Sequence, residues 1–187
     1  MRKTIFLPFI LLLFSSCIVT RTPGFYIGYN QLTDSEKQNI EIVDQDSCIC
    51  NLGKNGKIHV INGEQLRDCL KSNDTSIVFK WGPNCSSKSC ILISACQDYC
   101  SLKNYNLYVI ADYYDIKKMQ SQNVSDFPML IANHDFYKRQ YANSLNKKFI
   151  NDVLNGQSIN KENMYNRFLL FKGDKLIKSM NNLFEIH

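Results

Sequence analysis

Beyond its first fourteen residues the chain of 187 has no apolar run long enough to cross a bilayer as a helix. It has no internal repeat and no low-complexity stretch. Three histidines are present, and no pair of cysteines has zinc-type spacing with one of them beside it, so no metal site is expected. His59 and His134 have no Ser or Asp relationship that would make a catalytic triad. Charge of one sign is also scarce. Setting aside Arg2 and Lys3, 20 basic residues face 17 acidic ones, scattered along the chain, which argues against a nucleic-acid partner. Hydrophobic content of 44% with 21% charge is ordinary for a globular domain and excludes disorder as the default.

What the chain does have is cysteine, eight in all. The first, Cys17, ends a leader: Arg2 and Lys3 are positive, Ile5 to Phe14 is apolar and interrupted only by Pro8, and Ser15-Ser16-Cys17 follows. A small residue before a cysteine at the end of an apolar run resembles the bacterial lipobox, although Phe14 stands where Leu is usual. The resemblance implies a signal peptide over 1–16, lipid on Cys17, a membrane partner through that lipid, and a place in the cell envelope facing the periplasm. In such an oxidising compartment the other seven cysteines are expected to form disulfides, with at least one thiol left over.

Periodicity divides the rest. Residues 17–32 read as an anchor and tether without a periodic apolar face, and 33–56 as a helix, starting near Thr33 with capping-box spacing to Glu36, plus an entry segment. From 57 the pattern is regular. Strands are predicted at Lys57–Ile61, Ser76–Trp81 and Asn106–Ala111, with helices at Glu64–Lys71, Ser87–Cys100 and Asp115–Gln122. An extended piece at Phe127–Ala132, a mostly helical stretch at Phe136–Leu154 and a hairpin turning at Gly173-Asp174 complete the chain.

The chemistry is concentrated after the second of those strands, in Trp81-Gly-Pro-Asn-Cys85-Ser-Ser-Lys-Ser-Cys90. A cysteine opening a helix is more easily ionised there, and Lys88 would favour the thiolate further. Cys85 is therefore the expected nucleophile. Cys90, followed by Ile91-Leu-Ile93, is the expected resolving thiol of higher pKa. Were 85–90 helical throughout, the Cα atoms would lie about 7.5 Å apart along the axis, beyond disulfide reach, so the oxidised form needs a non-helical first turn. Cys96 and Cys100 share a helix face and read as core, as does Cys69. Cys48-Ile-Cys50 offers a structural partner to a helix cysteine. Trp81 is expected to pack beneath the cysteine loop.

The order strand, helix, strand, cysteines, helix, strand, helix and terminal hairpin over residues 57–187 resembles the thioredoxin-like superfamily. Asp126-Phe-Pro-Met-Leu-Ile with Tyr137-Lys-Arg-Gln-Tyr-Ala142 looks like the inserted segment of its TlpA-like and peroxiredoxin-like branches. The resemblance implies an α/β sandwich with a central mixed sheet, an inserted extended-plus-helix segment and a C-terminal β-hairpin. It implies thiol–disulfide exchange by Cys85 and Cys90 on protein thiols or disulfides, with no cofactor. Two departures stand out: four residues separate the cysteines where two are usual, and the position of the family's cis-proline falls near Tyr165. Two other readings are carried. One is a non-enzymatic domain whose disulfides are structural and whose surface binds a partner. The other is a peroxiredoxin-like peroxidase, in which Pro83-x-x-x-Ser87-x-x-Cys90 makes Cys90 the peroxide-attacking thiol and Arg167 lies near the family's arginine.

Overall fold

The structure, a computed structural model, describes residues 24–53, 55–85, 90–122 and 128–185. The segment expected to be a leader, Cys17, Lys88 and Asp126-Phe127 lie outside them. Seven strands form one sheet: β1 (Ile40–Ile42), β2 (Ile58–Ile61), β3 (Thr75–Trp81), β4 (Asn106–Ala111), β5 (Leu130–Ala132), β6 (Phe168–Lys172) and β7 (Lys175–Met180). Their spatial order is β1-β2-β5-β4-β3-β6-β7. The first five run parallel, and β6 and β7 follow in antiparallel steps. Parallel strands are joined by crossovers that cover both faces, which is why β2, β5 and most of β4 read as unbroken apolar runs and are buried.

The helices are α1 (Asp34–Lys37), α2 (Gly63–Lys71), α3 (Ile93–Lys103), α4 (Ile116–Ser121), α5 (His134–Tyr137), α6 (Ala142–Leu154) and α7 (Lys161–Met164). The step from β2 through α2 to β3 moves one way across the sheet, and the steps through α3 and α4 move the other way. Right-handed crossovers therefore put α2 on one face and α3 with α4 on the opposite one. Helix α6 joins α2, burying Ala142, Leu145, Phe149, Ile150 and Val153 at helical spacing. Their approach is close enough that a Cβ at Gly63 would collide with the Phe149 carbonyl. This packing fixes where α6 presents Asn146 and Lys147. No helix among the described residues is long and apolar enough to cross a membrane.

Locally encoded elements match their prediction. The Thr33–Glu36 capping box starts α1, an Asn62–Gln65 box starts α2, and Gly173 turns the hairpin in the left-handed region at φ 55°. Two expectations are corrected. Ile40–Ile42, expected in the entry segment after a helix, is a strand paired parallel to β2, and Val43 N–H donates to Val60 C=O at 3.1 Å. The helix expected from Ser87 begins at Ile93, with Leu92 extended at its N-cap and no side chain capping it. The stretch expected to be mostly helical from Phe136 to Leu154 is so, as α5 and α6, with a break at Lys138, whose φ is 52°.

That break is filled by the segment expected to be a free tether. Tyr26 bridges Tyr141, Ala142 N–H donates to Phe25 C=O, Ile27 N–H donates to Gln140 C=O at 2.9 Å, and Tyr114 N–H donates to Ile27 C=O at 2.7 Å. Ile27 is 3% exposed, and Tyr29 lies on His134 with ring centroids 4.3 Å apart. The reason is topological. The chain leaves β4 towards one face and β5 towards the other, opening at their carboxyl ends the crevice in which such sheets ordinarily take ligands. Here residues 25–29 fill it with protein.

Candidate functional site

A second hollow, of about 260 Å³, remains beside the filled crevice at the carboxyl ends of β3 and β4. Its wall includes Trp81, Cys85, Cys90, Asp112, Asn146 and Arg167. The turn after β3 brings the cysteines there. Cys85 N–H donates to Gly82 C=O at 3.0 Å, Asn84 N–H donates to the Tyr113 hydroxyl at 2.7 Å, and the Lys118 ammonium donates to the Asn84 side chain. Cys85 is exposed and Cys90 half-buried, in the expected order.

The two are joined as a disulfide with Cα atoms 5.8 Å apart, within the reach of such a bond. The expected acidifying helix end is not beside Cys85, because α3 starts at Ile93. Lys88 lies outside the described residues, while Lys80, Lys147 and Arg167 line the hollow.

Asp112 and Lys80 are the residues that the sequence reading missed. Lys80 sits on β3 opposite Ile110, and Asp112 directly follows β4, its N–H donating to Trp81 C=O at 3.0 Å. Burial raises the Asp112 carboxyl above its ordinary value, opposed by the charges of Lys80 and Arg167 and by a 2.8 Å hydrogen bond from Asn146. Burial pushes Lys80 down to about 8, opposed by Asp112, and its ammonium donates to the Met164 carbonyl. One carboxyl and one amine on the wall thus have pKa values moved from opposite ends of the scale towards neutrality. Such a pair can take up or release a proton where a thiolate leaves or forms. The signal was available in sequence: a lysine in the run Ile77-Val-Phe-Lys-Trp81, and an aspartate closing the apolar β4.

The other expected residues divide cleanly. Trp81 is 8% exposed and lines the hollow together with Cys85 and Cys90. Arg167 and Tyr165 line the hollow, Tyr165 at 62% exposure, and no cis peptide occurs among the described residues. Cys96 and Cys100 are fully buried thiols pushed up to about 12 by burial, which removes them as nucleophiles at neutral pH. Cys69 is buried as expected, but as half of a disulfide with Cys50 rather than as a core thiol, and Cys48 is an exposed thiol. His59 and His134 are buried and do not line the hollow, each with its pKa lowered by burial. No cluster that could hold a metal ion occurs among the described residues.

The chain matches no family model, no curated protein and no solved structure.

Proposed function

We propose that the protein is a lipid-anchored thiol–disulfide oxidoreductase of the periplasm, with Cys85 as the attacking thiol and Cys90 as the resolving one. We read its sheet as a thioredoxin-like sandwich in which β5 belongs to an inserted segment and β6–β7 is the closing hairpin. The observation that carries the reading is the exposed Cys85–Cys90 disulfide on the wall of a hollow that also holds Asp112 and Lys80. A disulfide kept only for stability has no need of a proton-exchanging pair.

In the reducing direction the Cys85 thiolate attacks a sulfur of a protein disulfide, a mixed disulfide forms, and the first substrate cysteine leaves as a thiolate. The Cys90 thiol, giving its proton to Asp112 or to neutral Lys80, then attacks Cys85 Sγ. The second substrate thiolate leaves and the Cys85–Cys90 bond is restored. Oxidation of a substrate dithiol is the same sequence reversed, with the two electrons passing to Cys85–Cys90.

Trapping tests this. Cys90→Ser should accumulate mixed disulfides through Cys85, and Cys85→Ser should accumulate few. On reduced protein, alkylation should strike Cys85 first. If neither thiol reacts until the protein unfolds, the bridge is structural and the protein is a binding domain. Arg167 on the same wall as Cys90 favours one further reading, the thiol peroxidase. Peroxide would then convert Cys90, not Cys85, to a sulfenic acid.

A further inference from the structure

The mouth of the disulfide hollow has a surface composition that thiol exchange does not require. Gly24, the first described residue, lines the hollow, and next to it Phe25 is 56% exposed. Tyr141 is 48% exposed beside the lining residue Ala142, and its ring meets that of Phe25 at 5.2 Å. Tyr165 is itself on the wall, and Leu92, beside Ile91, is 61% exposed. Lys147 projects from the same α6 that carries Ala142, and Lys138 and Arg139 are exposed in the turn leading to Tyr141. The carboxylates nearby are Asp112, inside the hollow, Asp115, which acts on the wall residue Tyr113 and pairs with Lys118 at 3.7 Å, and Asp135, three residues before Lys138. Aromatic rings interspersed with cations form a surface suited to the boundary between lipid headgroups and acyl chains.

Chain length points to the same occupant. Seven chain steps, with six residues between, separate Cys17 from Gly24. Fully extended they span at most about 25 Å, so lipid on Cys17 would confine the rim of the hollow to that distance from the bilayer. Held so close, cations near an anionic leaflet each gain about 1 kcal/mol, and exposed aromatic groups gain more by entering the interface.

We infer that the mouth of the Cys85–Cys90 hollow docks on an anionic bilayer surface through Phe25, Tyr141, Tyr165 and the neighbouring basic residues. The disulfide is thereby presented to thiols held at the membrane rather than to proteins diffusing freely in the periplasm. This rests on the lipid-anchor reading for its proximity, while the docking itself is a property of the described surface.

The test uses the full chain, processed in cells and reconstituted into vesicles of phosphatidylglycerol and phosphatidylcholine with brominated acyl chains, which quench nearby indoles. In a Trp81→Phe background, Tyr165→Trp puts the single indole at the mouth. Leu102→Trp puts it at the far end of α3, where residue 102 is 87% exposed. The mouth indole should lose roughly half its emission, as expected for groups buried several ångströms into the interface, and the Leu102→Trp indole little. Adding Phe25→Ser and Tyr141→Ser should abolish the difference while co-sedimentation with vesicles persists. Equal quenching at the two positions in protein whose N-terminus carries lipid overturns the docking and leaves the anchor standing. A lipid-free N-terminus overturns the anchor. Docking is then judged by the same pair of indoles with the protein free in solution, and absence of quenching at the mouth overturns it as well.

Discussion

Cys85–Cys90 and Cys50–Cys69 lie towards opposite ends of the sheet, one in the turn that leaves β3 and the other tying the segment between β1 and β2 to the last turn of α2. Cys85 is exposed, whereas Cys69 is 1% exposed, with its sulfur 3.2 Å from the Tyr108 hydroxyl. Around the first pair are Asp112 and Lys80, with pKa values drawn towards neutrality. Around the second are Tyr108, held by Asn73 at 2.8 Å, and Ser72, 3.8 Å from the Cys50 sulfur. Burial raises the Tyr108 pKa further, so that hydroxyl keeps its proton throughout the physiological range. Exchange needs an in-line approach to sulfur and a place for a proton. The hollow beside the first pair offers both, which is why exchange is proposed there and not at Cys50–Cys69.

Sequence separation sharpens the contrast. Cys50–Cys69 closes a loop of 19 residues, and on the chain-entropy account such a loop contributes about 3 kcal/mol. Cys50→Ser should therefore lower unfolding stability by about that amount, measured by urea titration under oxidising conditions. The exposed Cys48 thiol, two residues away, offers a way to break the comparison. If Cys48 takes over the bond to Cys69, the loss will be much smaller, and adding Cys48→Ser will restore it in full. Cys48→Ser alone should change stability by less than about 0.5 kcal/mol, as exposed substitutions do.

The shorter loop predicts a smaller effect. Cys85–Cys90 spans five residues, for which the same account gives about 2 kcal/mol as an upper figure. Cys85→Ser combined with Cys90→Ser should cost less stability than Cys50→Ser yet remove thiol exchange altogether. Titration of the parent with dithiothreitol should open Cys85–Cys90 at a more oxidising potential than Cys50–Cys69, the latter lying below about −300 mV if it is structural. Reversal of either order would erase the distinction between the two ends of the sheet.

Much of this framework was legible because its signals are local. Asn106–Ala111 is a strand over the predicted residues, α2 follows from its apolar spacing and cap, and the hairpin follows from Gly173-Asp174. What escaped depends on partners distant in sequence. Ile40–Ile42 is a strand because β2 offers it an edge, and residues 25–29 are ordered because β4 and β5 diverge beneath them. Helix α3 starts late, at Ile93 after an extended Leu92, and Cys90 is bonded to Cys85 rather than carried inside the helix. Lys80 and Asp112 were each visible as a charge in or beside an apolar strand, but their partnership exists only through the β3–β4 register, which places Trp81 against Ala111.

That partnership supports the smallest of the predicted effects. Because Asp112 has a raised pKa, the folded protein holds its proton in a pH range where the unfolded chain has released it. Its contribution is fully present below the ordinary carboxylate value of 3.8 and is lost as pH rises through the raised value, with a slope of up to about 1.4 kcal/mol per pH unit. Lys80, lowered to about 8 from 10.5, acts in the opposite sense, since between those values the unfolded chain binds a proton that the folded one does not. Asp112→Asn keeps the shape and the Asn146 neighbourhood but cannot ionise. The decline above pH 3.8 should flatten, while the Lys80 window should extend below 8 because its opposing charge has gone. Urea midpoints measured across the acid and alkaline ranges would detect both changes. The same variant should slow attack by Cys90 on a Cys85 mixed disulfide and leave the reduction rate of Cys50–Cys69 unchanged. If both disulfides slow equally, Asp112 acts through the stability of the fold. If neither slows, its proton is not used in exchange, and the difference between the two pairs reduces to exposure and loop length alone.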